Sequence, residues 1–191
     1  MAVDPSSFKR VNMADTCAVW NILSSSRLSE SAFQAGCVFS CTTFVTYECL
    51  SKPRSSVDPN DVELRRRLVE EQKKGRFQTF SLAVEDLQEM DILEKRNKLG
   101  KGELSSIAFA KKTAQAFMTD DMGARKLALE VIPGSVQTTP HLFGWLIYTC
   151  ALPDSDKISV IAEHNSLNRP LAQFFEEIFL TAQQYRSYSG E

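Results

Sequence analysis

The sequence predicts an α/β protein with a mostly parallel sheet covered on both faces. Three observations carry that expectation. Short apolar runs alternate with longer amphipathic stretches, the order expected when crossover helices join parallel strands. Two of those runs, 10–14 and 116–119, close on acids at which a helix begins. A length of 191 residues, 43% of them hydrophobic, suffices for one domain with a substantial core.

Residues 1–9 read as a loose lead-in. The strand 10–14 ends at Asp15, and 16–23 is a helix with Val19, Ile22 and Leu23 on one face. A polar turn is expected over 24–30 and a short helix over 31–35. A second strand, 37–41, leads through Thr42 and Thr43 into a helix over 44–50 that carries Glu48 and stops at Pro53. Residues 58–75 are the most charged segment. Val62, Leu68 and Val69 form a narrow apolar stripe there, and Arg65, Arg66 and Arg67 lie among glutamates. That pattern fits a solvated amphipathic helix or, more sharply, an arm facing phosphate or a partner. Alternation over 76–82 predicts a strand, and 83–98 a helix containing Leu87, Met90, Ile92 and Leu93.

The stretch 99–121 organises the rest. Leu104, Ile107, Ala108, Ala110 and Ala114 recur at helical spacing and mark a buried face. Phe109 lies off that stripe, so the helix needs cover on a second side. Gly100 and Gly102 punctuate its start. Glu103 sits in the first turn, where negative charge suits the helix dipole. The strand 116–119 follows and is closed by Asp120 and Asp121. A helix packed against the strand after it runs antiparallel to that strand. About 8 to 12 helical residues span roughly 12 to 18 Å, and four strand residues span roughly 13 Å. Glu103 therefore returns to the edge where Asp120 and Asp121 stand, and Asp15 ends its own strand at the same edge.

Beyond Asp121, a helix over 122–129 carries Arg125 and Lys126, and 130–132 reads as a last short strand before Pro133 and Gly134. The apolar helix 141–152 fits either a core element or a subunit contact in a homo-oligomer. Helices at 154–163 and 170–185 flank a polar loop, 164–169.

Composition narrows the chemistry. A net charge of −2 means that any polyanion site must be a local patch. The five cysteines are scattered, as expected of reduced thiols. Cys37, Cys41 and Cys49 lack a CxxC pair and read as buried small hydrophobes rather than zinc ligands. The first residues lack the apolar core of a signal peptide, and 142–152 is too short to cross a bilayer. No membrane partner and a cytoplasmic location are expected. His141 and His164 fall in predicted loops remote from any nucleophile, against a Ser/His/Asp system. Gly100-Lys101-Gly102 lacks the length and the final Lys-Ser/Thr of a P-loop. The acids remain. Each alone has a bland explanation, Asp15 as a helix N-cap for instance. Converging carboxylates repel one another, however, and oxygen-only ligands select Mg²⁺ or Mn²⁺. Such a cation lowers the pKa of a bound water and stabilises in-line attack on a phosphodiester.

The segments strand-Asp15-Thr16, TTFVTYECL with Glu48, GELSSIAFA with Glu103 and FMTDDMGAR with Asp120 and Asp121 follow one another over roughly 10–150. In that order they resemble the PIN domain, the metal-dependent nuclease fold of bacterial toxin ribonucleases and RNA-processing factors. The resemblance implies a Rossmann-like three-layer α/β/α sandwich over 1–152, with 153–191 a C-terminal helical extension packed on the same domain. It implies single-stranded RNA as substrate and an acidic pocket for one or two Mg²⁺ or Mn²⁺ ions. Asp15, Glu103 and Asp121 would hold the metal, Glu48 would bind it directly or through water, and Asp120 would assist. The hydroxyls of Thr16 and Thr119 would orient ligands, with Lys101, Arg125 and Lys126 set to contact phosphate. Glu103 stands where the family often has aspartate and is longer by one methylene. Stand-alone domains of this kind commonly act as toxins held by an antitoxin protein. The rival expectations are a non-catalytic PIN-fold module that binds RNA or protein, and a metal-dependent DNA nuclease on the same scaffold.

Overall fold

The computed structural model describes residues 4–53 and 58–189. The protein is α/β, with an all-parallel five-stranded sheet flanked by helices, the arrangement of a three-layer α/β/α fold. The strands are β1 (Val11–Ala14), β2 (Val38–Thr42), β3 (Gln78–Phe80), β4 (Ala116–Met118) and β5 (Val136–Gln137), in the order β3-β2-β1-β4-β5. Met13 is in register with both Ser40 and Phe117. The chain moves outward from β1 to β2 and β3, then returns to the other side of β1 with β4. The carboxyl ends of β1 and β4 thus flank a topological switch point, where open α/β sheets form a crevice.

The helices are α1 (Thr16–Ser24), α2 (Ser26–Gln34), α3 (Thr43–Leu50), α4 (Pro59–Lys73), α5 (Val84–Glu94), α6 (Lys101–Thr113), α7 (Met122–Val131), α8 (Thr139–Tyr148), α9 (Lys157–Ser166) and α10 (Ala172–Ser189). The chain divides into two compact units with interleaved boundaries. One comprises 11–20 and 38–137 and holds the whole sheet. The other comprises 1–10, 21–37 and 138–191, so the segment 153–191 shares a unit with the N-terminus.

In the sheet-bearing unit, α6 packs on β1, β2 and β4 and is itself contacted by α3, α5 and α7. Its burial runs unbroken from Leu104 to Ala110. Phe109 is covered as its off-stripe position requires, and its ring stacks on Phe80 at 5.3 Å. Met13, Phe117, Leu104, Ile107, Leu93 and Leu127 belong to one core cluster. Each such side chain, fully buried, contributes about 1.5 to 3 kcal/mol. Ala114 departs from the expected stripe: it is exposed and ends α6 in the left-handed conformation, φ 55°. On α4 the buried positions are Leu64 and Leu68, whereas Val62 and Val69 face solvent. The alternation expected over 76–82 fails because β3 is an edge strand with all three residues exposed. Phe77, just before it, is fully buried against Phe39 at 5.7 Å. The strand expected over 130–132 is the end of α7, and β5 forms only after the Pro133–Gly134 turn.

In the other unit, the polar turn expected over 24–30 is mostly helix. Ser25 caps α2 by accepting the Leu28 amide at 3.1 Å, and its hydroxyl donates to Glu163. The α8 stretch is buried core, with Leu142, Phe143, Leu146 and Ile147 all 0% exposed. Both histidines lie on helices rather than in loops. His141 Nε2 meets the Asp4 carbonyl at 2.9 Å, and burial holds its pKa below the ordinary imidazole value. His164 is fully buried, with its two ring nitrogens 2.9 Å from the Val160 carbonyl and 2.7 Å from that of Asn21. The described cysteines are free thiols, and Cys37, Cys41 and Cys49 are buried. Burial pushes the Cys37 thiol up to about 12, so it behaves as a small hydrophobe. No described helix is long and apolar enough to cross a membrane.

Candidate functional site

All five acids singled out in the sequence lie in the sheet-bearing unit. Asp15 follows the last residue of β1, and Asp120 and Asp121 lie just past β4. Asp15 is completely buried. Its Oδ1 accepts the Ala18 amide at 2.8 Å, the bond of an N-cap. Its Oδ2 is buried and accepts no hydrogen bond from a described residue. Capping therefore explains one oxygen and leaves the other unexplained. Desolvation pushes the Asp15 carboxyl up to about 8. The Ala18 amide and the Thr119 hydroxyl pull it back, while the charges of Asp120 and Glu103 push it further.

Glu103, in the first turn of α6, is half-buried, and its Oε2 is, with Asp15 Oδ2, one of two carboxylate oxygens buried without a hydrogen-bond partner among the described residues, where Ser106 Oγ, Gln115 Oε1 and the Arg65 Nε are also unpartnered. Burial raises its pKa, its own amide lowers it, and the charges of Glu48 and Asp121 raise it again, with Lys52 acting in the opposite sense. Glu103 thus feels Glu48 and Asp121, while Asp15 feels Asp120 and Glu103. The five carboxylates form one electrostatically connected group.

Glu48 is the best anchored of them. Thr16 donates its hydroxyl to Oε2 at 2.7 Å, and the Gly102 amide approaches Oε1 at 3.4 Å. Glycine leaves room for both carboxylates: a Cβ at Gly102 would displace the end of the Glu48 side chain, and one at Gly100 that of Glu103. The two helix starts are pinned by a relay of hydroxyls. The Val45 amide donates to Thr42 Oγ1 at 3.4 Å, Thr42 and Ser105 share a bond of 2.7 Å, and Ser105 donates to the Gly102 carbonyl at 2.9 Å. This buried network fixes α3 against α6 and sets where Glu48 and Glu103 emerge.

Asp121 is exposed and caps α7, its Oδ1 accepting the Ala124 amide at 2.7 Å. Its own amide donates to Thr119 Oγ1 at 3.1 Å. Thr119 is fully buried, and Asp120 is half-buried. Among the described residues, no group of three or more His, Cys, Asp or Glu side chains is set to hold a single ion as it stands. In kind, carboxylate oxygens suit a hard divalent cation, whose charge would offset their mutual repulsion.

Set against known proteins, the chain matches no family model, no curated protein and no solved structure.

Among the expected phosphate contacts, Lys101 lines a cleft of about 430 Å³ beside Glu48. Arg125 and Lys126 are exposed on α7 and do not line it. Sequence reasoning missed the rest of that lining, including Phe44, Tyr47 and Lys52. The signal was present: Phe44, Tyr47 and Glu48 stand at i, i+3 and i+4, one face of α3. Two of the three arginines singled out on α4 are committed elsewhere, whereas the Arg65 Nε is buried with no hydrogen-bond partner among the described residues. Arg66 binds Glu63 and Glu70, and Arg67 binds Glu63, which suits the solvated-helix expectation better than the phosphate-facing arm.

Proposed function

We propose that the protein is a metal-dependent endoribonuclease of PIN type that hydrolyses phosphodiester bonds in single-stranded RNA. The observation that carries the reading is the pair of orphaned oxygens, Asp15 Oδ2 and Glu103 Oε2, buried in a group of five acids beside the switch point. Folding alone gives no reason to keep such oxygens unsatisfied, because each costs about 1 to 3 kcal/mol or more. Asp15, Glu103 and Asp121 would hold Mg²⁺ or Mn²⁺. When bound, the cation supplies an acidified water and offsets charge on the phosphodiester. The chain does the remaining work. Thr16 and the Gly102 amide hold the Glu48 carboxylate in one orientation. Asp120 adds negative charge beside Asp15, and Lys101 attracts the RNA backbone. A homo-oligomer and control by an antitoxin protein belong to this proposal as the contexts in which such domains commonly work.

A second reading is binding without cleavage, favoured by the lack of a ready-made three-ligand group. Incubation with labelled RNA, with Mn²⁺ or with chelator, decides between the two. Cleavage that requires Mn²⁺ and is lost in Asp15→Asn supports the nuclease. Binding with no cleavage under any condition supports the second reading, and cleavage that survives both chelator and Asp15→Asn reveals a contaminant. Equal cleavage of duplex DNA would move the substrate class to DNA.

A further inference from the structure

The cleft beside Glu48 shares Glu48 and Lys101 with the chemistry above, but Phe44, Tyr47 and Lys52 in its lining have no part in that chemistry. Along α3 it presents Phe44, half-buried, and Tyr47, 50% exposed, one turn apart. Lys52, just beyond α3, and Lys101, the first residue of α6, bring two ammonium groups to the same walls. The Lys101 ammonium stands over the Phe44 ring, 5.9 Å from its centroid, which places cation and aromatic face on one side of the cleft. Glu48 lies in the lining of the cleft and also belongs to the acid group, so whatever fills the cleft touches the place where cleavage is proposed.

We propose that this cleft seats the nucleobase of a single-stranded nucleotide flanking the scissile phosphate, stacked on Tyr47 and Phe44, while Lys52 and Lys101 hold the adjoining phosphates. Several features favour that occupant. The volume of about 430 Å³ is in the range of small-ligand sites. Aromatic side chains stack on any base and contribute sequence-tolerant affinity. Two ammonium groups complement phosphates in a chain whose net charge is otherwise negative. A paired base cannot offer its face to a side chain, so the cleft would itself select single strands over duplex. Tyr47 is the reporter, because its ring is half exposed and its hydroxyl is not needed for stacking.

The inference rests on the ribonuclease reading for its geometry, yet it can be tested without cleavage. A fluorescein-labelled single-stranded RNA hexamer is titrated with the full chain in chelator, and anisotropy reports binding. Tyr47→Ala should weaken binding by about tenfold and Tyr47→Phe should leave it within about twofold. Lys52→Gln combined with Lys101→Gln should weaken binding and flatten its salt dependence by roughly two phosphates' worth. Melting temperatures near the parent's confirm that the variants fold. An unchanged affinity in Tyr47→Ala, a Tyr47→Phe loss as large as the alanine loss, or equal affinity for a duplex of the same sequence overturns the proposal. If binding follows these expectations but Mn²⁺ yields no cleavage, the subsite stands and the nuclease falls. If Mn²⁺-dependent cleavage is found with a KM that Tyr47→Ala does not move, the nuclease stands and the subsite falls.

Discussion

Asp86 and Asp15 belong to the same unit and are buried to the same degree, 2% and 0% exposed. Their surroundings differ in kind. Asp86 Oδ2 accepts the Ala83 amide at 2.7 Å, closing the start of α5, and Lys112 reaches the same oxygen at 3.1 Å. Asp15 has the Ala18 amide on one oxygen, an Oδ2 without a geometric hydrogen-bond partner among the described residues, and only the Thr119 hydroxyl besides Ala18 to offset its burial and the further acids nearby. The helix α4 extends the contrast to the surface. Glu63, bonded by Arg66 and Arg67, has its pKa held down at about 2, whereas Asp15 is driven in the opposite direction. In the segment richest in charge, Glu63, Glu70, Arg66 and Arg67 are paired among themselves. Asp15 and Glu103 keep a buried carboxylate oxygen without a hydrogen-bond partner among the described residues, and Glu63 does not.

The largest test of that contrast is chemical. Glu103→Gln should lower Mn²⁺-dependent RNA cleavage by about a thousandfold, the order seen when one preorganised electrostatic group leaves an active site. Asp86→Asn, measured per folded molecule, should leave the rate unchanged. Equal losses in initial rate would erase the distinction between the two buried acids.

Next in size is the response to cation. Mn²⁺ at a hundred times its Kd should stabilise the parent by about 2.7 kcal/mol. In a domain of this size that raises Tm by about 5 to 10 °C. Asp15→Asn should blunt the shift, because it removes a hard anionic ligand. Asp121→Asn is gentler, since asparagine caps a helix about as well as aspartate and only the charge changes. A parent that melts identically with Mn²⁺ and with chelator would leave the orphaned oxygens without a cation.

Smaller again is the loss expected at the settled acid. Lys112→Met strips Asp86 of its ion partner and should cost about 1 to 2 kcal/mol, with the Mn²⁺ shift untouched. The side chain of Lys112 is 49% exposed, so water replaces part of what is lost.

The smallest effect belongs to α4. Replacing Arg66 and Arg67 with glutamine should change stability by about 0.5 kcal/mol or less, and the difference should close in 1 M salt. It should also depend on pH with a definite sign. The Glu63 carboxyl is lowered in the fold from 4.5 to about 2, so its contribution is complete above about 4.5 and fades as pH falls toward 2. Melting curves of parent and variant should converge over that window. A gap that persists at pH 2 would assign the arginines a role other than pairing with Glu63.

What could be read from the sequence was local, and what could not depended on partners far along the chain. An apolar run, then aspartate, then a helix is a pattern of a few residues, and it placed Asp15, Asp120 and Asp121 at the carboxyl ends of strands, where they are found. Leu104, Ile107 and Ala108 announced α6 because one helical face packs on the sheet. The start of α2 was missed because Ser25 reads as turn until its hydroxyl meets Glu163, 138 residues away. Val131 and Ile132 suggested a strand through β-branching, although the preceding turn of α7 already fixed their backbone. The alternation around Phe77 misled because Gln78, Thr79 and Phe80 are all exposed, while the buried aromatic, Phe77, lies just before the strand against Phe39. At the site, the residue types were legible but not which oxygens would stay unsatisfied, since Ala18 takes one oxygen of Asp15 and only three-dimensional packing isolates the other. The cleft residues Phe44 and Tyr47 passed as ordinary helix aromatics because Lys101, the cation over Phe44, enters from an element more than fifty residues later.

The pairing of β1 with β4 also sets a timetable. Met13 lies beside Phe117, 104 residues further along the chain. At synthesis rates of about 5 to 20 residues per second, roughly 5 to 20 s separate the emergence of one from that of the other. Asp15 leaves the ribosome early, yet it has no Asp120 or Glu103 beside it until most of the sheet-bearing unit has followed. A growing chain therefore holds its acids scattered, and the acid group exists only after the crossover has closed. The assembled edge comes into being only when the polypeptide is well past its midpoint.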